Sequence, residues 1–211
     1  MKSTITGDIV QSKTVKDSEK WSVPLKNLLS TFGESPREWE IYRGDSFQLE
    51  VSTVEVLRIA ILIKSVIKQA DAKKLDVRIA IGIGENSKRA DRVSESMGEA
   101  FVFSGELLDE LKSENVHLGL KSPWKHFDEE FNMMFKLALV IMNSWTKNTA
   151  EVVELLFNMP GITQVEIAKQ LGLAQSTVND RIKRGSVYEI IELEQYFRKR
   201  VESMIKPNTT Y

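Results

Sequence analysis

The stretch Trp39-Glu40-Ile41-Tyr42-Arg43-Gly44-Asp45-Ser46-Phe47-Gln48-Leu49-Glu50-Val51 decides the fold. Two β-prone runs, Trp39 to Tyr42 and Phe47 to Val51, flank Arg43-Gly44-Asp45-Ser46, and a Gly-Asp pair in that setting is a hairpin signal. Ser52-Thr53-Val54-Glu55 follows with the spacing of a capping box. Val56, Ile59, Ala60, Ile63, Val66 and Ile67 then recur at three- and four-residue spacing, a helix with one face for a sheet. Upstream, Thr4 to Val10 reads as a strand. Ser22 to Phe32 reads as a helix capped by Ser22, with Pro24 in its first turn and Gly33 at its end. Downstream, Val77, Ile79, Ile81 and Ile83 alternate with Arg78, Ala80 and Gly82, a strand by period two. Met97 to Leu111 reads as a helix and Val116 to Leu120 as a short strand. The order β-α-β-β-α-β, then α and β, predicts an α+β chain. Its first part is a ferredoxin-like sheet covered by helices on one face.

The chain has 211 residues, of which 42% are hydrophobic and 28% charged, enough apolar side chain to close a core. The longest apolar run, Leu137 to Met142, falls far short of the ~18–20 residues that span a bilayer. No signal peptide is read in Met1 to Gln11, and there are no cysteines, which excludes disulfides, thiolate metal sites and a cysteine nucleophile. A cytoplasmic protein with no membrane partner is expected. The net charge is −1, so any nucleic-acid binding must come from a local patch. Residues 126–159 carry two basic against five acidic side chains, and residues 160–211 carry eight against six. The shift supports three regions: 1–125, a connector helix over 126–147, and 148–211.

Residues 163–185 carry the pattern of a helix-turn-helix. Thr163 and Glu166 have capping-box spacing, and Ile167 and Leu171 face inward. Ala168 is small where a second helix would cross, Gly172 supplies a left-handed turn residue, and Leu173, Val178 and Ile182 complete the buried side. Ala174 stands where a capping Ser is usual. Asn148 to Met159 gives a supporting helix broken by Pro160-Gly161. The exposed positions of the second helix are then Gln175, Ser176, Thr177, Asn179, Lys183 and Arg184. Gln and Asn pair bidentately with adenine, and Lys and Arg reach guanine or phosphate, so duplex DNA is the expected partner. Asp180 opposes phosphate. A homodimer is expected to help so weakly basic a domain. Ile190, Leu193, Phe197, Val201 and Met204 on the last helix offer one apolar face, for which packing back on its own domain is preferred over an intermolecular coil. Phe127 to Trp145 is apolar on much of its surface, which predicts burial between domains or subunits.

Two carboxylates mark one end of the sheet. Asp8 closes the first strand and Asp45 sits in the hairpin, so a central first strand brings them together. Such a pair suits Mg²⁺ or Mn²⁺, which want hard oxygen ligands shared with phosphate; the alternative is turn and capping chemistry. His117 and His126 lack clustered partners, and no zinc site or triad is expected. Asn208-Thr209-Thr210 matches a glycosylation acceptor without a secretory context.

Asp8-Ile9-Val10-Gln11-Ser12, Arg43-Gly44-Asp45-Ser46-Phe47 and Val77 to Glu85, in that order, resemble the landmarks of class III nucleotide cyclases over residues 3–110. The resemblance implies that Asp8 and Asp45 are the metal positions, holding Mg or Mn together with a nucleotide. The chain departs from those enzymes where they place a catalytic Asn and Arg, here Val102 and Glu106, and a purine-selecting Lys, here Ile41. A carboxylate beside developing negative charge has the wrong sign, so no cyclase activity is expected and no catalytic residue is assigned. Gly98-Glu99-Ala100-Phe101 and Ser104-Gly105, with the region after them, resemble the small bacterial SatD-like family, a likeness that extends over the chain. The expected function is a DNA-binding transcriptional regulator with a degenerate cyclase-like sensor or dimerisation domain and a nucleotide as effector. The alternative is a metal-dependent enzyme acting on a nucleotide, with the helix-turn-helix structural only.

Overall fold

The computed structural model describes residues 1–42, 44–70, 75–88 and 90–205. The first part runs β1 (Lys2–Val10), α1 (Glu19–Ser30), β2 (Trp39–Tyr42), β3 (Ser46–Ser52), α2 (Val56–Gln69) and β4 (Asp76–Gly84). A two-strand ribbon of β5 (Asn86–Lys88) and β6 (Met97–Gly98) leads into α3 (Glu99–Glu114) and β7 (Leu118–Lys121). Five helices follow: α4 (Lys125–Met142), α5 (Lys147–Asn158), α6 (Gln164–Leu171), α7 (Gln175–Arg184) and α8 (Val187–Ile205). The chain is therefore α+β, with a five-stranded mixed sheet in the order β2-β3-β1-β4-β7. All neighbours are antiparallel except β4 and β7.

Side-chain alternation explains the layers. Ile5, Ile9, Phe47, Leu49, Val77, Ile79, Ile81 and Ile83 are buried on the face that carries α1 and α2. The opposite residues are small or polar and receive α3, so helices cover both faces instead of the single face expected. Thr6 bonds Ser104 at 2.8 Å, and Ala80 packs on Leu107, Leu108 and Leu111. Gly82 and Gly84 allow the contact: a Cβ on Gly82 would lie 2.0 Å from the Ala100 carbonyl oxygen, and one on Gly84 2.6 Å from Glu99 Cβ. The period-two strand is thus buried on both sides, which an all-apolar run would have announced more plainly.

Three local expectations are corrected. The helix expected to start at Ser22 starts a turn earlier, with Ser18 at its cap and Pro24 in its interior. Burial of Trp21 with Leu25, Leu28 and Leu29 holds that extra turn across the missing Pro24 N–H. Ser52 to Glu55 makes no capping box; Glu55 caps α2 without a side-chain bond. Its carboxylate instead pairs with Arg58 at 2.6 Å and with Arg198. Met97 and Gly98 belong to β6, so the helix expected from Met97 begins at Glu99.

The hydrophobic core is continuous from the sheet into the C-terminal helices. Helix α4 turns Phe127, Phe131 and Phe135 onto Phe197 of α8, with ring centroids 5.6, 5.0 and 6.3 Å away. Each fully buried Phe contributes about 1.5–3 kcal/mol. Ile190, Phe197 and Val201 are consequently buried within their own chain. Asn132 of α4 covers the β7 edge by donating to the Leu120 carbonyl and accepting its N–H, both at 2.8 Å. The outer face of α4 stays open.

Candidate functional site

Helices α6 and α7 form the most complete candidate arrangement. Thr163 Oγ1 accepts the Glu166 N–H while Glu166 accepts the Thr163 N–H at 2.8 Å, the reciprocal cap its spacing predicts. The Thr163 N–H and the Thr163 hydroxyl, which donates to the same carboxylate oxygen at 2.7 Å, hold the exposed Glu166 carboxyl below its usual range. Gly172 ends α6 with φ 65°, and Leu173 N bonds back to the Ala168 carbonyl at 2.9 Å. Ile167, Ala168, Val178 and Ile182 are buried, and Leu171 and Leu173 are half-buried. Ala174 caps α7 with backbone alone.

The opposite side of α7 exposes Gln175, Ser176, Thr177, Lys183 and Arg184, with Asn179 half-buried beside them. Asp180 is exposed on the same helix. Arg181 turns inward to Glu151 at 3.0 Å and to the Asn148 carbonyl, so its charge fixes α7 to α5. Trp145 Nε1 donates to the Gly185 carbonyl at 2.9 Å and anchors the far end of α7. Asn148, Glu151 and Trp145, all outside the 163–185 pattern, therefore tie α7 to its surroundings through Arg181 and Gly185.

The sheet-end carboxylates occupy the second location. Strand β1 lies between β3 and β4, and its register sets Asp8 opposite Ser46. Ile9 N donates to the Asp45 carbonyl at 2.9 Å, so the two Asp residues do share one end. Each already has a partner: Arg78 Nη1 lies 3.1 and 3.0 Å from the two Asp8 oxygens, and the Ser12 hydroxyl donates to Asp45 Oδ2 at 2.7 Å. The three charged groups sum to −1. A divalent ion would need phosphate oxygens to complete its shell, with Asp45 Oδ1 the oxygen left without a partner among the described residues on this side. Among the described residues no group of three or more His, Asp or Glu gathers as a metal cage. Of the cyclase-type positions, Val102 is exposed on α3, Glu106 pairs with Lys121 at 2.8 Å, and Ile41 is half-buried on β2. Arg43 and Asn208 to Thr210 lie outside the described residues.

Two charge networks have no counterpart among the sequence patterns. Lys64, in the middle of the most apolar helix, is buried and donates to Asp76 at 2.7 Å and Asn143 at 2.8 Å. Lys68 lies 3.0 Å from Asp76, and His117 Nδ1 lies 3.3 Å from it, so His117 has a partner its sequence neighbours do not show. Burial pushes the Lys64 amine down to about 8 against the pull of Asp76. Burial also opposes ionisation of Asp76, but the hydrogen bond with His117 and the two lysine charges outweigh it and hold the carboxyl far below its usual range. The second network joins Glu55, Arg58, Glu194 and Arg198 across α2 and α8. Burial pushes the Glu194 carboxyl up, partly offset by Arg198. A lone Lys at an apolar helix position was the available signal for the first network; none marked the second.

An α+β protein with this order matches one protein-family model, the SatD family, over residues 3–204. The chain belongs to the SatD family. No curated protein and no solved structure matches it. No described helix is long and apolar enough to cross a membrane.

Proposed function

We propose that this chain is a cytoplasmic DNA-binding regulator in which a ferredoxin-like, degenerate cyclase-like sheet domain carries an all-α helix-turn-helix domain. The observation that carries the reading is the α6–α7 unit: a reciprocal cap, a left-handed Gly172, a buried Val178–Ile182 side and an opposite face of Gln175, Ser176, Thr177, Asn179, Lys183 and Arg184. Spacing of that kind lays the second helix along a major groove. The strand order β2-β3-β1-β4 supports the ferredoxin-like topology of the sheet domain. Two pairings support a sensing or platform role for it over nucleotide chemistry: Arg78 on Asp8 and Lys121 on Glu106. Mg or Mn at Asp8 and Asp45 would then enter only with a bound nucleotide effector.

The reading includes a homodimer, which would present two such helices to two half-sites. Met133, Leu137 and Val140 support it: they are 63%, 66% and 75% exposed at four- and three-residue spacing on the outer face of α4. That is the seam spacing by which one helix packs against a second copy of itself.

The test is selection of bound fragments from genomic DNA, then binding of the recovered site and of random duplex. The double change Gln175→Ala, Asn179→Ala removes two base-reading side chains, each worth roughly 1–3 kcal/mol of discrimination. It should weaken the selected site at least tenfold more than random DNA. Equal loss on both, or no recovered site, refutes the reading. Incubation with ATP or GTP and Mn²⁺ should give no cyclic nucleotide by mass spectrometry; a product lost in Asp45→Asn would restore the enzyme alternative.

A further inference from the structure

A cavity of about 490 Å³ opens between α2, the turn joining α5 to α6, and α8. Its size falls in the range of small-molecule sites. The walls at one end are apolar, with Leu156, Phe157, Ile162 and Ile191. Arg58 and Glu194 also line it, beside Arg198, and these belong to the network with Glu55.

The polar end is built and incomplete. Glu194 is 5% exposed, and Arg198 bonds its Oε1 at 2.8 Å. Its Oε2 makes no hydrogen bond with a described residue. Arg58 gives Nε to Glu55 at 2.6 Å and Nη1 to the Phe157 carbonyl at 3.2 Å, which leaves Nη2 without a partner among the described residues. One donor group and one acceptor oxygen therefore remain without a hydrogen bond among the described residues, on side chains that line the cavity. Two guanidiniums and two carboxylates sum to zero. A fatty acid or a polyamine would unbalance that end by a full charge, and a wholly apolar ligand would leave both groups unmet. A ligand with one anionic and one cationic group beside an apolar body satisfies all three conditions.

We propose that this cavity binds a free α-amino acid with a large apolar side chain: its carboxylate on Arg58 Nη2, its ammonium on Glu194 Oε2, and its side chain against Leu156, Ile162 and Ile191. Burial disfavours a charged Glu194 in the empty cavity, and an incoming ammonium offsets that cost. The site bridges α2 of the sheet domain and the turn that enters the Thr163 cap of α6, so occupancy bears on how α6 and α7 are held. The binding claim itself stands apart from DNA binding and is tested without it.

Thermal unfolding of the full chain is measured with leucine, phenylalanine or methionine at about 10 mM, well above a millimolar Kd. The controls are leucinamide, which lacks the carboxylate, N-acetyl-leucine, which lacks the ammonium, and glycine, which lacks the side chain. A free apolar amino acid at roughly tenfold excess over its Kd should raise Tm by about 3–6 °C, and the controls by much less. Glu194→Gln and Arg58→Gln should lose the rise. Ile191→Trp, which fills the apolar end and leaves both charges in place, should lose it too and serves if a charge variant does not fold. No rise with any free apolar amino acid overturns the proposal. So does a rise kept in all three variants, or one given equally by both blocked compounds. A rise with leucyl-glycine and none with leucine assigns the cavity to peptide N-termini and overturns the free amino acid as ligand.

Discussion

Arg78 Nη1 lies within 3.1 Å of both carboxylate oxygens of Asp8, and the two side chains face each other across adjacent strands at the end of the sheet. Arg78 also bonds the Val116 carbonyl through Nε, so one guanidinium joins β1, β4 and the entry to β7. The carboxylate expected to face a metal ion is first of all half of an ion pair.

That pair predicts a coupled stability effect. With side-chain exposures of 10% and 17%, Arg78→Met leaves Asp8 largely buried and uncompensated. The single change should cost about 2–4 kcal/mol, and Asp8→Asn alone somewhat less because an amide still accepts from Arg78. The double variant should recover at least about 1 kcal/mol relative to additivity. Urea unfolding of the four proteins measures the cycle, and strict additivity would mean the pair is not coupled.

Asp76 and Lys64 should shape the pH dependence of stability. The folded Asp76 pKa lies below its ordinary 3.8, so its contribution is complete above that value and is lost as pH falls through the folded value. Lys64 runs the other way. Between about 8 and the ordinary 10.5 the unfolded chain holds its proton and the folded chain releases it, so this group's contribution rises with pH. Lys64→Met should remove that alkaline rise. Asp76→Asn should flatten the acid limb and cost about 3–5 kcal/mol near neutrality, because Lys64 is left buried without its counter-charge. Denaturant titrations from about pH 1.5 to about pH 11 check both limbs.

Gly82 is the tightest point between β4 and α3. A Cβ there would sit 2.0 Å from the Ala100 carbonyl oxygen and 2.7 Å from Ser104 N, both backbone atoms that cannot swing aside. Gly82→Ala should therefore cost about 3 kcal/mol or more. Gly105, on the same helix as Ala100 and Ser104, has nothing within 4 Å of the place a Cβ would take, and Gly105→Ala should stabilise by up to about 1 kcal/mol. Melting curves of the two variants should move in opposite directions.

The exposed seam of α4 predicts the assembly state. Leu137→Glu places a charge at its centre without touching the buried Phe127, Phe131 and Phe135 face. Light scattering on the wild type should give twice the 24.0 kDa chain mass, and the variant a single chain mass with its melting curve nearly unchanged. A wild-type protein of one chain mass would remove α4 as an interface.

Local sequence patterns determined whatever depended on neighbours along the chain. The hairpin around Gly44-Asp45, the alternation from Val77 to Ile83, and the Thr163–Glu166 cap with Gly172 are all short-range. Backbone geometry and side-chain periodicity decide them within a turn or two. The Ser52–Glu55 box had the same local signal and failed: α2 starts only at Val56, and the Glu55 carboxylate goes to Arg58 in the first turn and to Arg198 across the chain. Only tertiary structure could set Arg78 on Asp8, 70 positions apart, or draw Lys64, Lys68, Asp76 and His117 together. It alone lays α3 on the second face of the sheet through Gly82 and Gly84. Composition and spacing record which side chains a segment offers; which distant partner desolvates or neutralises each of them depends on packing, and packing is decided by the whole chain at once.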